Sequence, residues 1–326
     1  MNTAPHVSVS PHARSGATTR SIMRDVLIAL APAAAMGVYA HGMRALLVIL
    51  VTTAVCMATE YLYEKLMKLP LTVGDLSSAV TGVILALNMP STIPLWMPAL
   101  GGVFAIIVVK MLFGGIGQNF MNPALAARCF LLLSFASAMA RYPDTVRLLF
   151  SAPAVSGATP MGALKAGVPS DWLQMLFNTH SGSIGEASAV AILVGLVYLL
   201  VRRVVSIRIP AVYILSAVGF VAVISAVQGN ADEISLDFLV THACGGGLLF
   251  GAVFMATDYT TSPVTPWGQV TYALVLGLLT AIFRTVGSAV EGVSYAILIG
   301  NLLTPLIERL TAPKPFGYKR EKGGAR

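Results

Sequence analysis

The sequence predicts an all-α, polytopic membrane protein of about ten transmembrane helices, arranged as two inverted five-helix repeats with interrupted helices. Three observations carry that reading. The chain is 56% hydrophobic and only 11% charged, with a mean hydropathy of +0.79, outside the range of soluble domains. Apolar runs approaching the ~20 residues needed to cross a bilayer recur along its length. Two of these runs end alike. Gly82 to Asn88 passes into Met89-Pro90-Ser91-Thr92-Ile93-Pro94, and Gly251 to Ala256 passes into Thr257-Asp258 and then Pro263-Val264-Thr265-Pro266. An odd number of spans separates them, so the second copy is inverted, and paired interruptions of this kind point to a site near the midplane.

Taken in order, residues 1–23 form a segment too polar for a cleaved leader, so the run at 24–40 acts as the insertion signal. Runs at 44–63, 77–89, 95–113 and 122–141 complete the first repeat, 24–141. The third of them is short and stops at Met89-Pro90. A polar loop, 142–186, leads into the second repeat, 187–306, with runs at 187–203, 209–228, 238–256, 268–285 and 287–306. The eighth run contains Gly245-Gly246-Gly247. A basic tail, 307–326, closes the chain.

Charge sorts itself on this frame. Arg14, Arg20, Arg24, Lys65, Lys68, Lys110, Arg128, Arg202, Arg203, Arg208 and the tail from Arg309 fall on one side. Arg44, Arg141, Arg147, Lys165 and Arg284 fall on the other, with Asp144, Asp171, Glu186, Asp232, Glu233, Asp237 and Glu291. The positive side is the cytoplasm, so both termini are expected there and the 142–186 loop outside. The net charge of +7 is thus accounted for by topology and anionic lipid rather than by nucleic acid. Cys56, Cys129 and Cys244 lie far apart in apolar runs and offer no metal-ligand spacing, so no metal site is expected.

The outer loop contains Ser156-Gly157-Ala158-Thr159-Pro160. Proline suits the first position of a helix, which makes Thr159 the N-cap. A phosphate on its hydroxyl would meet free backbone N–H groups there; an ordinary helix start explains the same five residues. Asp258, beside Thr257, Thr260, Thr261 and Ser262, is either a step of a Na⁺ or proton path or a carboxylate capping a broken helix. Glu60 and Asp75 are weaker candidates of the same kind. The turn from Gly114 to Asn122 offers Asn119 and Asn122 either to the edge of a flat ring or to helix capping. Lys110 and Arg128 beside it are expected to be snorkelling membrane anchors, and Lys165 a solvated lysine. Trp172, Leu173, Met175, Leu176 and Phe177 read as an interfacial segment holding the loop to the bilayer.

Over roughly residues 10–310 several motifs recur in a familiar order: Ser10-Pro11-His12, Gly74-Asp75-Leu76-Ser77-Ser78-Ala79-Val80-Thr81-Gly82, and Gly114-Gly115-Ile116-Gly117-Gln118-Asn119-Phe120-Met121-Asn122-Pro123-Ala124. Gly185-Glu186-Ala187-Ser188, Phe254-Met255-Ala256-Thr257-Asp258 with Thr261-Ser262-Pro263, and Ala296 to Asn301 come after them. In these the chain resembles the family formed by the D subunit of the Rnf ion-translocating ferredoxin:NAD oxidoreductase complex and the B subunit of the sodium-pumping NADH:quinone reductase. The short termini favour the former. The resemblance implies a multi-pass protein in a bacterial or archaeal cytoplasmic membrane, carrying electrons through FMN joined by its phosphate to the threonine of Ser-Gly-Ala-Thr, here Thr159. It implies partners too: the other Rnf subunits, a second FMN-bearing one among them, and a flavin transferase. A second, noncovalent flavin such as riboflavin is left open. The family's attachment pattern often has aspartate three residues before the serine, where this chain has Pro153. Ser15-Gly16-Ala17-Thr18 repeats the four letters, but Thr18 lacks the proline and falls on the cytoplasmic side. A cofactor-free permease or channel and a purely structural anchor are the rival readings.

Overall fold

The computed structural model describes residues 18–142, 159–168, 170–177, 181–230, 232, 234–287 and 292–313, and all regular structure among them is helical. The helices are α1 (Thr19–His41), α2 (Met43–Leu66), α3 (Ser77–Leu87), α4 (Trp96–Met111), α5 (Pro123–Ser134), the single turn α6 (Ala136–Met139), α7 (Pro160–Lys165), α8 (Trp172–Phe177), α9 (Ala189–Val201), α10 (Arg208–Val227), α11 (Leu236–Cys244), α12 (Leu248–Met255), α13 (Pro266–Thr285) and α14 (Val293–Thr311). Five of them (α1, α2, α10, α13 and α14) are long and apolar enough to cross a membrane. The pair α11 and α12, bent by 52° across Gly245–Gly247, makes a sixth if taken as one span. Helices α3, α4, α5 and α9 fall in the other predicted intervals but are shorter, between 10 and 17 residues.

Local chemistry sets the ends. Thr18 caps α1 in a reciprocal pair with Ser21. The step from a capping side chain to proline at the first helical position occurs three times, at Asn122-Pro123, Thr159-Pro160 and Thr265-Pro266, and each cap accepts a backbone N–H from the first turn. Two helices finish in π geometry: α4 from Ala105 to Met111, and α12 from Gly251 to Met255. Each such stretch fits extra residues into the turn and rotates the next side chains away from the α-helical face.

Helices α3 and α12 form the centre, with nearly every residue buried. Around them α1 packs on α9 and α5 on α14, while α10 lies along α13 and α2 along α3 and α4. Glycines permit the closest approaches: a β-carbon on Gly195 would stand 2.4 Å from the Ala29 carbonyl, and one on Gly82 would stand 2.6 Å from the Thr53 α-carbon. Lipid supplies no hydrophobic drive between helices, so this close van der Waals contact is what joins them. The outer faces of α10 and α13 leave Leu215, Val223, Leu274 and Leu278 exposed, as a lipid-facing surface requires. At the Thr19 end, Arg202 donates from Nε and Nη2 to Asp25 Oδ2 (3.1 and 3.0 Å) and Tyr198 from its hydroxyl to Oδ1 (3.1 Å), which fastens α9 to α1.

Candidate functional site: a cavity and its helix breaks

The starts of α1, α3 and α5 and the ends of α4, α9 and α12 enclose a cavity of about 300 Å³ at the Thr19 end. Its polar lining includes Ser77, Lys110, Asn119, Asn122, Asp258 and Thr260; most of the rest is apolar. Three residues singled out in the sequence therefore meet, although about 140 positions separate the two asparagines from Asp258. Asn119 donates from Nδ2 to Thr260 Oγ1 and to Met121 O, both at 3.1 Å, and so ties the Gly114–Asn122 turn to the loop after α12. Asn122 is the α5 cap, accepting from Ala124 N at 3.0 Å and Leu125 N at 3.3 Å. Its oxygen is committed to the helix.

Asp258 lies three residues beyond α12 and accepts from the hydroxyls of Thr260 (3.1 Å) and Thr261 (3.2 Å). Burial pushes its carboxyl above the ordinary aspartate range; these hydroxyls and the neighbouring backbone N–H groups pull the other way and do not fully offset it. A carboxylate ringed by hydroxyls beside a cavity can exchange a proton or hold a small cation.

Lys110 and Arg128 are not membrane anchors. Lys110 is 3% exposed, and its ammonium lies 2.8 Å from Glu60 Oε1 and 2.6 Å from Ser77 Oγ. The π stretch of α4 delivers it inward. Arg128 is 1% exposed and donates from Nη1 to Asn88 Oδ1 at 2.9 Å. Their partners are 50 and 40 residues away, beyond the reach of a local pattern. Asp75 accepts from the N–H (2.7 Å) and hydroxyl (2.5 Å) of Ser77 and starts α3.

Two of the basic residues that broke the charge sorting, Arg44 and Arg284, also have partners. Arg44 donates to the carbonyls of Ser91 (3.1 Å) and Ile93 (3.4 Å), beyond the end of α3. Arg284 donates to His242 O, to Gly245 O (2.8 Å) and to Gly246 O (3.2 Å), where α11 breaks. Interrupted helices leave carbonyls without partners, and guanidinium groups supply the donors. A cation out of place beside a Gly- or Pro-rich break was the signal available for these two.

Thr159 sits elsewhere. It caps α7 with Oγ1 3.2 Å from Gly162 N, in extended geometry and partly exposed. Ser156, Gly157 and Ala158 lie outside the described residues. Met161 is fully buried, its methyl 3.9 and 3.7 Å from where β-carbons of Gly245 and Gly246 would stand, so α7 docks on the α11–α12 break. Lys165 is exposed, as expected, and donates to Gly287 O at 3.4 Å; partial burial and the Arg284 charge lower its pKa. Glu186 lies against Gly247, and Ile184 against Gly37 of α1. Thr19, at the cavity, is roughly 27 Å along α1 from Gly37. The phosphate-acceptor candidate and the cavity thus occupy opposite ends of the bundle, with Thr18 at the cavity end. Among the described residues no cluster of His, Cys, Asp or Glu could hold a metal ion.

An all-helical bundle with interrupted central helices, long apolar spans and charged groups buried at the breaks defines a multi-pass membrane protein. The chain belongs to the NQR2, RnfD, RnfE family, whose model matches residues 6–317. It is 43% identical to the D subunit of a Na⁺-translocating ferredoxin:NAD⁺ oxidoreductase complex of Acetobacterium woodii, covering 98% of each chain. It is 38% identical to a proton-translocating counterpart of Clostridium ljungdahlii, covering 96% of each. A third relative, the D subunit of an ion-translocating oxidoreductase complex of Halorhodospira halophila, is 32% identical over 95% of each chain.

Proposed function

We propose that this chain is the D subunit of an ion-translocating ferredoxin:NAD oxidoreductase complex, in which it carries electrons on FMN esterified to Thr159 and contributes to moving Na⁺ or protons. It works with the other subunits of that complex, including a second FMN-bearing one, and a flavin transferase matures it. It resides in a cytoplasmic membrane with both termini inside, Thr159 outside, and two inverted five-span halves. The pairing of α1 with α9 and of α5 with α14, which brings equivalent helices of the two halves together, supports that arrangement.

The observation that carries the flavin reading is the placement of Thr159. Its hydroxyl stands at a helix start, on a helix pinned by Met161 to the α11–α12 break, with the cations Lys165 and Arg284 near enough to each other that the Arg284 charge lowers the Lys165 pKa. These residues fit a phosphodiester: a partly exposed hydroxyl to esterify, backbone N–H groups and cations to offset its charge. FMN supplies one-electron chemistry when attached; the chain fixes where that chemistry occurs. Met161 packs the ester's helix against a bent span whose break Arg284 closes.

Asp258 is the residue proposed for the ion path, through a proton or cation exchanged with the cavity. Asn119 and the apolar lining beside it would suit a second, noncovalent flavin such as riboflavin. The two relatives whose names differ in the ion, at 43% and 38% identity, show that overall similarity does not select between Na⁺ and protons.

The test is fluorescence in a denaturing gel of full-length protein made with a flavin transferase, beside Thr159→Ala and Thr18→Ala. A fluorescent band lost only in Thr159→Ala is the expected result. A band lost in Thr18→Ala moves the flavin to the cavity end. An unlabelled wild type in the presence of active transferase supports the cofactor-free permease, and transport by the isolated chain would then be measured.

A further inference from the structure

Beside the cavity, at the same Thr19 end, lies a second pocket of about 430 Å³. It opens between the end of α9, the start of α10 and the loop that runs from α12 into α13. The two share Val204, Val205, Thr257 and Tyr259 as a common wall, and the Tyr259 hydroxyl donates to Val204 O, joining the two segments that form it. Among the described residues no Asp or Glu lines the second pocket. Arg203 does, and it stands in the left-handed region (φ 56°), in the place after a helix that glycine usually takes. Arg203 N donating to Leu200 O (3.0 Å) and Val204 N to Leu199 O (2.9 Å) fix that turn. The neighbouring Arg202 is spent on Asp25, whereas Arg203 and Arg208 are exposed and have no ion pair among the described residues. On the facing side Ser206 donates its one hydrogen to Gln269 Oε1 at 3.0 Å, which leaves both N–H donors of the Gln269 amide uncommitted. Adjacent in the chain, Val201, Ile207, Val264 and Trp267 are exposed. Tryptophan and apolar side chains beside unpaired arginines match a headgroup layer, where apolar bodies meet acyl chains and cations meet phosphate.

We propose that this pocket binds the headgroup of an anionic phospholipid. The phosphate meets the Arg203 guanidinium, Arg208 adds to the local positive charge, and the Gln269 amide donates to a headgroup oxygen. The acyl chains lie over Val264 and Trp267. A zwitterionic headgroup brings a cation of its own to the arginines and is held less well. The bound lipid joins the α9–α10 turn to the loop after α12 and to the first turns of α13. Thr257 and Tyr259 flank Asp258 in the chain, so an occupied pocket braces the wall behind that carboxylate. The proposal rests on neither the flavin reading nor the ion-translocation reading.

The experiment uses purified full-length protein, delipidated in detergent and returned to phosphatidylglycerol or to phosphatidylcholine with the same acyl chains. Retained lipid is counted by native mass spectrometry, and thermal unfolding midpoints are measured with and without lipid. Wild type should retain phosphatidylglycerol in preference to phosphatidylcholine and gain in midpoint from it. Arg203→Gly suits the left-handed backbone, so its lipid-free midpoint should equal or exceed that of the wild type. Its affinity for phosphatidylglycerol should nevertheless fall about tenfold, and the lipid-induced gain in midpoint should vanish. Arg203→Lys should keep part of both. Arg24→Gln removes an exposed cation from the same end, outside the pocket, and should change neither. Equal retention of the two lipids overturns the proposal, and so does an Arg24→Gln variant that loses as much as Arg203→Gly, because diffuse surface charge then explains the binding. Inorganic phosphate that raises the midpoint as phosphatidylglycerol does identifies a soluble ligand and overturns the lipid assignment.

Discussion

The loop after α3 and the loop after α12 begin alike and are finished differently. Each extends from an apolar central helix and runs through a pair of prolines, Pro90 and Pro94 in one, Pro263 and Pro266 in the other. After α3 the freed groups are answered by cations from outside the loop: Arg44 on Ser91 and Ile93, Arg128 on Asn88, with Ile184 N donating to Met89 O at 3.0 Å. After α12 the polar groups mostly answer one another, Thr260 and Thr261 on the Asp258 carboxylate and Ser262 on its backbone oxygen, and one side opens on a cavity. The difference teaches that an interrupted helix is not by itself a site. The first break is plugged by guanidinium groups and holds structure together, whereas the second keeps an ionisable group facing space.

That contrast can be broken at several points. The largest effect is expected from Arg128→Met, which strips Asn88 of a buried charged donor and should cost up to about 3 kcal/mol, read as a lower midpoint of thermal unfolding in detergent. A variant as stable as the wild type would mean that the first break closes without it. Asp258→Asn should act in the opposite sense. Because the folded protein binds the Asp258 proton more tightly than the unfolded chain, the wild type loses stability as pH rises from the ordinary value near 3.8 through the raised one. Unfolding midpoints measured against pH should show Asp258→Asn gaining on the wild type over that interval, and parallel curves would remove the buried-carboxyl argument. In the assembled complex the same variant should lower ion uptake; unchanged uptake takes Asp258 off the path. Smallest is Arg44→Gln, at an exposed guanidinium, worth about 0.5 kcal/mol. It should show as faster amide exchange in the loop after α3 with the global midpoint nearly unmoved.

Much of the architecture was legible because hydropathy and capping are local. All ten predicted intervals contain helix, the Thr159-Pro160 step read directly as a helix start, and capping was one of the two readings open for Asn122. Length was legible for α3, read as a short run stopping at Met89-Pro90 and ending at Leu87, but not for α5, which gives way after 12 residues to Phe135 and the single turn α6 inside the predicted 122–141 run. Asn119, Asn122 and Asp258 could be named singly, but their convergence depends on the packing of α5 and α12 around α3. Lys110 and Arg128 were misread for the same reason. A cation next to a predicted span looks like an anchor until its partner, Glu60 or Asn88, is brought across from another helix. The second Ser-Gly-Ala-Thr is a lesson in the other direction, since Thr18 has a complete local explanation as the cap of α1.

Both charged residues on the cavity wall, Lys110 and Asp258, come at or just after a π stretch. In a π turn the chain spends one residue more than the α-helix needs. The sites are thus encoded partly in residue count, apart from residue identity. Winding the segment from Ala105 at ordinary α pitch with every residue kept would carry Lys110 about 100° further round the axis, whereas deleting one residue there would leave it on its present face. In the first case every side chain of the cavity would still be present, yet the lysine would leave Glu60 and Ser77.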